Sequence, residues 1–172
     1  MTNSSIAEPV VVREAVVADL SAITGIYAHY VTASVATFEL EPPDEAEWRR
    51  RFAGITGAGL PFLVSEQEGR VAGYAYCSPW KPRPAYRQTV EDSIYLAPSA
   101  LGRGLGGRLL DGLLGRCSAL GIREVIAVVA DSGDPASAAL HRRRGFTDAG
   151  RLRRVGFKHG RWLDTVLLQR SL

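Results

Sequence analysis

Two features of the stretch from Thr89 to Leu120 can do chemistry. The first is Glu91, a carboxylate set in a strand-like run formed by Thr89, Val90, Ile94, Tyr95 and Leu96. A carboxylate buried among apolar neighbours is costly to ionise, so its pKa rises toward neutrality and it can serve as a general base. On an edge strand the same residue, with Asp92, simply points to solvent. The second feature follows the break at Ala97-Pro98, where Gly102, Gly104, Gly106 and Gly107 lead into an apolar helical period at Leu105, Leu109, Leu110, Leu113, Leu114 and Leu120. A glycine turn at a helix start leaves backbone N–H groups facing outward with no Cβ in the way. The helix dipole adds partial positive charge, so a phosphate or pyrophosphate is the natural guest.

Other phosphate motifs are excluded. With Gly107 as third glycine, a dinucleotide fold also needs an acidic residue about twenty positions on, after a second strand. The nearest candidate, Glu124, precedes the next strand, and no Gly-Lys-Ser/Thr is present to make a nucleotide P-loop.

The elements that must position these groups follow from the pattern. A chain of 172 residues that is 46% hydrophobic can bury one good core. One domain is expected over residues 10–172, after a loose polar tail over 1–9. The net charge of +3 is compatible with an anionic cofactor and too small to argue for nucleic acid. No apolar run approaches the roughly twenty residues of a membrane span. The N-terminus has neither the basic nor the apolar region of a leader, so a cytoplasmic protein without membrane or nucleic-acid partners is expected. Cys77 and Cys117 lack metal-ligand spacing and read as reduced core thiols, and no metal is expected.

In chain order, a strand is predicted at Val10–Val12, a helix over Asp19–Ser34, and a second helix from Pro42-Pro43-Asp44-Glu45 with Trp48, Phe52 and Ile55 inward. Phe62–Glu66 and Arg70–Cys77 form a hairpin about Glu68-Gly69, and Ser78–Pro84 reads as a proline-rich loop. After the glycine unit, Glu124–Ala130 has the continuous apolar character of a strand buried on both faces, parallel to its predecessor because a helix intervenes. Asp134 is placed to cap a helix over Ala136–Arg144 that stops at Gly145. The last strands are Phe146–Val155 and Trp162–Gln169, turning at Lys158-His159-Gly160. The order β α α β β β α β α β β makes a mixed sheet flanked by helices, an α/β fold with a crevice where parallel strands part at the glycine turn.

The run Leu101-Gly102-Arg103-Gly104-Leu105-Gly106 resembles the pyrophosphate loop of the GNAT superfamily of N-acetyltransferases, Arg/Gln-x-x-Gly-x-Gly/Ala, with Leu101 in place of the leading basic or amide residue. Further blocks extend the likeness: Tyr30-Val31, Thr37-Phe38-Glu39, Glu47-Trp48, Gly73-Tyr74-Ala75-Tyr76, Trp80-Lys81-x-Arg83-x-Ala85-Tyr86, Thr89-Val90-Glu91, Leu140-His141-x-x-x-Gly145-Phe146, Gly156-x-Lys158-His159-Gly160 and Trp162-x-Asp164. In this order they are similar to the phosphinothricin and methionine sulfoximine N-acetyltransferases, from about Val10 to the end.

The resemblance implies a mostly antiparallel sheet with one parallel pair at the cofactor cleft. It also implies acetyl-CoA as co-substrate, a small-molecule amine as acceptor, direct transfer in a ternary complex, and a homodimer. Moving acetyl from a thioester to an amine needs a neutral amine, an oxyanion donor and a proton for the departing thiolate. The resemblance assigns the base to Glu91 and the pantetheine arm to the backbone of Ile94, Tyr95 and Leu96. It assigns the pyrophosphate to Gly102, Arg103, Gly104, Leu105, Gly106 and Gly107. His141, which on a helix among arginines otherwise reads as a solvated or packing residue, becomes the thiolate acid or a substrate contact. Asp134 stands where the family has a cofactor-touching asparagine, with a helix cap as its plain alternative. Phe38, Lys81, Arg83 and Tyr86 offer an aromatic wall and cations for an amino acid bearing a carboxylate and a phosphinate or sulfoximine. Other amines (a protein N-terminus, a polyamine, an aminoglycoside) and a non-catalytic acyl-CoA-binding module remain open on these residues.

Overall fold

The strands are β1 (Val11–Glu14), β2 (Phe62–Gln67), β3 (Arg70–Pro79), β4 (Thr89–Leu96), β5 (Glu124–Ala130), β6 (Thr147–Lys158) and β7 (Arg161–Ser171). In this computed structural model, which describes residues 9–172, they form one seven-stranded sheet in the order β1-β2-β3-β4-β5-β7-β6. The expected tail falls outside the described residues except for Pro9, which is exposed. The helices are α1 (Leu20–Ala33), α2 (Glu45–Gly57), α3 (Leu105–Ala119) and α4 (Ala136–Arg142), so the chain order is the one the sequence pattern predicts. Among the described residues β4 and β5 run parallel, and every other pairing in the sheet is antiparallel. No helix among the described residues is long and apolar enough to cross a membrane.

The sheet is covered on both faces. The helical period of α3 buries Leu105, Leu109, Leu110, Leu113, Leu114 and Cys117, most of them against Leu63, Ala75, Cys77, Val90 and Val125 of the sheet. On the opposite face α1 and α2 bring Leu20, Ile23, Tyr27, Val31 and Trp48 onto Phe62, Val64 and Tyr74. Emptying a site such as Leu109 to alanine in a core of this kind costs about 2–5 kcal/mol. Asp44 caps α2 by accepting the Glu47 N–H at 2.8 Å. The Glu68-Gly69 and His159-Gly160 turns have positive φ at both positions, the conformation whose twist matches a tight hairpin.

Four expectations are corrected. Ser78 and Pro79 do not start the loop but extend β3, pairing with Glu91 and Val90. A proline forfeits only its N–H, and at a strand end its carbonyl side still pairs. The final strands reach to Lys158 and Ser171, because two bulges let β6 carry Ala149 and Arg153–Val155 out of register without leaving the sheet. In β5, Val125 and Ala127 are buried but Val128 is 37% exposed, since the far half of this strand borders an opening rather than a neighbour. The Asp134 carboxylate bonds the Ala136 N–H at 2.9 Å, yet the cap position of α4 is Pro135, and the helix ends at Arg142 rather than Arg144.

Candidate active site

The opening lies where β4 and β5 part. They pair only from Thr89 opposite Glu124 to Asp92 opposite Ala127. Beyond that point β4 follows β3 as far as Leu96, and β5 follows β7 as far as Ala130. The gap between them is a cleft of about 510 Å³ that takes in Ile94, Tyr95, Leu96, Gly104, Asp134 and His141. Backbone groups of both strands that a continuous ladder would satisfy therefore face open space. Tyr30 reaches from α1 to donate its hydroxyl to the Leu96 carbonyl at 2.6 Å, fixing the outer lip.

At the mouth, Gly102 and Gly104 adopt φ of 74° and 77°, a conformation strained for residues with a Cβ. Gly104 caps α3 with no side chain bonded to the helix amides, leaving the first N–H groups of a long helix for a ligand. Gly106 is small so that α3, α4 and β4 can meet: a Cβ there would lie 3.4 Å from Leu140 and 3.5 Å from Leu96. At Gly107 the guanidinium of Arg144 fills the place a Cβ would take, donating to the Gly107 carbonyl at 3.1 Å and pairing with Asp111 at 3.0 Å. The remaining predicted loop residues divide. Leu105 is wholly buried near Ala72 and Ala100, so only its backbone can face a ligand, and the exposed Arg103 stands outside the cleft lining.

Alternation along β4 sends Glu91 and Tyr95 toward the α1/α2 face, and Val90, Asp92, Ile94 and Leu96 toward the α3/α4 face. Glu91 is half-buried in a central strand, not on an edge. Burial, and then the Asp92 charge, push its carboxyl above the ordinary carboxylate range, while Lys81 opposes them. His141 is 2% exposed, so the solvated reading fails. Its Nε2 lies 2.8 Å from Asp92 Oδ2 and its Nδ1 2.7 Å from the Ser137 carbonyl. Burial works to lower its pKa, but the Asp92 hydrogen bond and charge, with the Ser137 carbonyl, outweigh burial and raise it. Asp92 was missed as a site residue by sequence reasoning. The signal for it was the same alternation, which places a second carboxylate on the other face of a central strand.

The residues predicted for the acceptor amine are not gathered in this cleft. Lys81 stacks its ammonium over Trp80 at 4.8 Å and acts on Glu91 by its charge. Arg83 and Tyr86 sit on an exposed helical turn. Phe38 packs where a Cβ on Gly156 would stand, so the loop after α1 is seated on the last hairpin. That seat is a buried polar network which sequence reasoning also missed. Lys158 Nζ donates to the Thr37 carbonyl at 2.7 Å, Tyr27 and Thr37 hydroxyls bond at 2.7 Å, and Glu39 takes Arg51 at 2.7 Å. Burial pushes the Lys158 ammonium pKa down, with the Glu39 charge opposing.

A glycine-turned helix start beside splayed parallel strands, with a carboxylate of raised pKa at their parting, is the architecture of an acyl-CoA-dependent transferase. Residues 23–146 match the family model described as the Acetyltransferase (GNAT) family, and the chain belongs to that family. It is 54% identical over 154 residues to a phosphinothricin N-acetyltransferase of Alcaligenes faecalis, spanning 90% of this chain and 78% of the relative. Over 162 residues it is 40% identical to an L-methionine sulfoximine/L-methionine sulfone acetyltransferase of Pseudomonas aeruginosa, spanning 94% of each. The crystal structure of a phosphinothricin acetyltransferase from Sinorhizobium meliloti in complex with AcCoA matches with a TM-score of 0.92 at 52% identity, covering 96% of this chain and 89% of that one.

Proposed function

We propose that the protein transfers an acetyl group from acetyl-CoA to the amino group of a small amino-acid-like substrate of the phosphinothricin or methionine sulfoximine class. The observation that carries this reading is the position of Glu91, a half-buried carboxylate of raised pKa at the point where β4 leaves β5. The residues present fit the thioester: uncapped amides at Gly104 and beyond suit its pyrophosphate, and the backbone of Ile94, Tyr95 and Leu96, paired to β3 on one side and parted from β5 on the other, suits its amide-bearing arm. Leu101 leaves the pyrophosphate to the backbone alone, and Asp134, already bonded to the Ala136 N–H, serves first as a local turn.

Glu91 takes a proton from the substrate ammonium, directly or through water, and the freed lone pair attacks the acetyl carbonyl. Backbone N–H groups in the gap stabilise the oxyanion. We assign to His141 the proton that the departing sulfur takes. Phe38 supplies a wall, and Lys81, Arg83 and Tyr86 receive the acidic groups of the acceptor. These cations disfavour polycationic amines by like-charge repulsion.

We assign a homodimer as the working assembly, formed on the outer strand β6. That strand ends the sheet and exposes Leu152, Val155 and Phe157, beside the exposed Trp162 of β7. Thiol release from acetyl-CoA with phosphinothricin, methionine sulfoximine and a panel of amino acids tests the activity. Turnover confined to amino-acid-like acceptors is the expected result. Tight acetyl-CoA binding with no turnover on any amine would make the protein a binding module instead.

A further inference from the structure

The cleft holds fewer cations than its proposed guest has charges. Of the described residues that line it, Glu91, Asp92 and Asp134 are carboxylates, His141 is spent on Asp92, and Arg143 is the one lysine or arginine. The glycine loop offers no other: Leu101 stands at its head, and Arg103 lies outside the lining. A phosphorylated ligand entering such a cleft meets a negative field unless Arg143 turns toward it.

The local geometry leaves Arg143 free to do so. Ala136, Leu140 and Arg143 follow one another at helical spacing along α4 and its cap residue, and all three line the cleft. Leu140 sits against Gly106, where an added Cβ would lie 3.4 Å from it, and Arg144 donates to the Gly107 carbonyl at 3.1 Å. The last turn of α4 is thereby fixed against the start of α3, whose uncapped amides suit an anion. The three consecutive arginines then divide. Arg142 is paired with Asp148 at 2.8 Å and Arg144 with Asp111 at 3.0 Å. The Arg143 guanidinium has no hydrogen bond or ion pair to any described residue, and it is exposed at the rim with its donors unspent.

We propose that Arg143 binds the 3′-phosphate on the ribose of coenzyme A. This rests on the acetyl-CoA reading above. The coenzyme carries phosphate in two places, and they make different demands. Each phosphate of the pyrophosphate link bears one charge, and a row of amides with the roughly half a positive charge of a helix start suits it without a side chain. The 3′-phosphate is a monoester with close to two charges at neutral pH and three acceptor oxygens, which calls for a full cation. A planar guanidinium meets such a group through two parallel N–H···O bonds. Arg143 comes one helical turn after Leu140, the residue seated on Gly106, and is the more exposed of the two. It therefore stands on the solvent side of the glycine turn, where the ribose end of the coenzyme leaves the cleft.

Calorimetry on the intact protein with acetyl-CoA and with acetyl-3′-dephospho-CoA tests the proposal, since these ligands differ only in that phosphate. The parent is expected to bind acetyl-CoA about tenfold more tightly, and added salt should shrink the preference. Arg143→Ala should bring acetyl-CoA to within about twofold of the dephospho ligand, whose own Kd stays within about twofold of the parent's. Because Arg143 holds nothing else in the fold, the variant should keep the parent's melting temperature. Arg143→Lys should retain part of the preference, keeping the charge without the fork. An Arg143→Ala protein with the parent's preference overturns the proposal. So does one that loses affinity for both ligands alike, which is the mark of a structural role, or a parent that binds the two equally. A parent that binds neither ligand removes the acetyl-CoA reading itself.

Discussion

The two sides of the site are built from different materials. Toward α3 and α4 the cleft is mostly backbone: glycines at positive φ, an uncapped helix start, and strand edges left without partners. Toward α1 and α2 the residues proposed for the acceptor stand outside that cleft as side chains carried on loops, with Phe38 on one and Lys81, Arg83 and Tyr86 on another. A main-chain site recognises what every member of a family shares, on the proposed function a pyrophosphate and a pantetheine arm. A loop site recognises what differs, and can be altered without disturbing the sheet. The contrast predicts that damage to one side leaves binding on the other intact.

The sharpest break falls on the residue that serves both sides. Glu91→Gln should lose about 10²–10⁴ of kcat/KM, the range for removing a general base, with the acetyl-CoA Kd from calorimetry within about threefold of the parent. Because burial raises the Glu91 pKa, its folded form resists ionisation, so the stability it contributes is fully present below the unfolded pKa and lost as pH rises through the folded one. At neutral pH the glutamine variant should therefore melt no lower than the parent. The same shift places the acid limb of kcat/KM above the ordinary carboxylate range, and a limb near pH 4 would remove Glu91 as base.

Next in size is the backbone side. Gly104→Val forces a β-branched residue into φ near 77° and should raise KM for acetyl-CoA by about tenfold or more, from roughly 1–2 kcal/mol of strain. KM for the amine should stay within about twofold. Equal loss in both constants would mean the turn supports the whole site rather than one half.

Smaller effects are expected on the loop side. Lys158→Met strips the Thr37 carbonyl of its donor and should cost about 1–3 kcal/mol of stability, the penalty of an unsatisfied buried group. The loop bearing Phe38 would loosen, raising KM for the amine about threefold to tenfold with KM for acetyl-CoA unchanged. Smallest, Trp162→Ser should leave kcat/KM within about twofold at high concentration while shifting the sedimentation profile toward monomer. An unchanged profile would remove β6 and β7 from the dimer contact.

What the sequence told in advance follows the same division. The span of β5, its parallel pairing and the crevice at the glycine turn were legible because period, glycine spacing and chain reversal are local signals. Asp92 was not, since a carboxylate beside a candidate base reads as solvent-facing until the strand is known to be central and α4 to lie above it. Nor was Lys158, whose partner is 121 residues away and is a carbonyl, which carries no residue type to recognise. Pro79 misled for a local reason: proline marks the loss of a donor but is silent about which edge of the strand needed one.

The bond from Lys158 to Thr37 has a consequence for synthesis. An emerging polypeptide can assemble the glycine turn, α3 and the strands on either side of it while its last hairpin is still inside the ribosome. The segment bearing Phe38 must wait until β6 has emerged before its carbonyl finds an ammonium. A product cut short before β6 would then keep the glycine turn and α3 yet leave the loop bearing Phe38 without its seat.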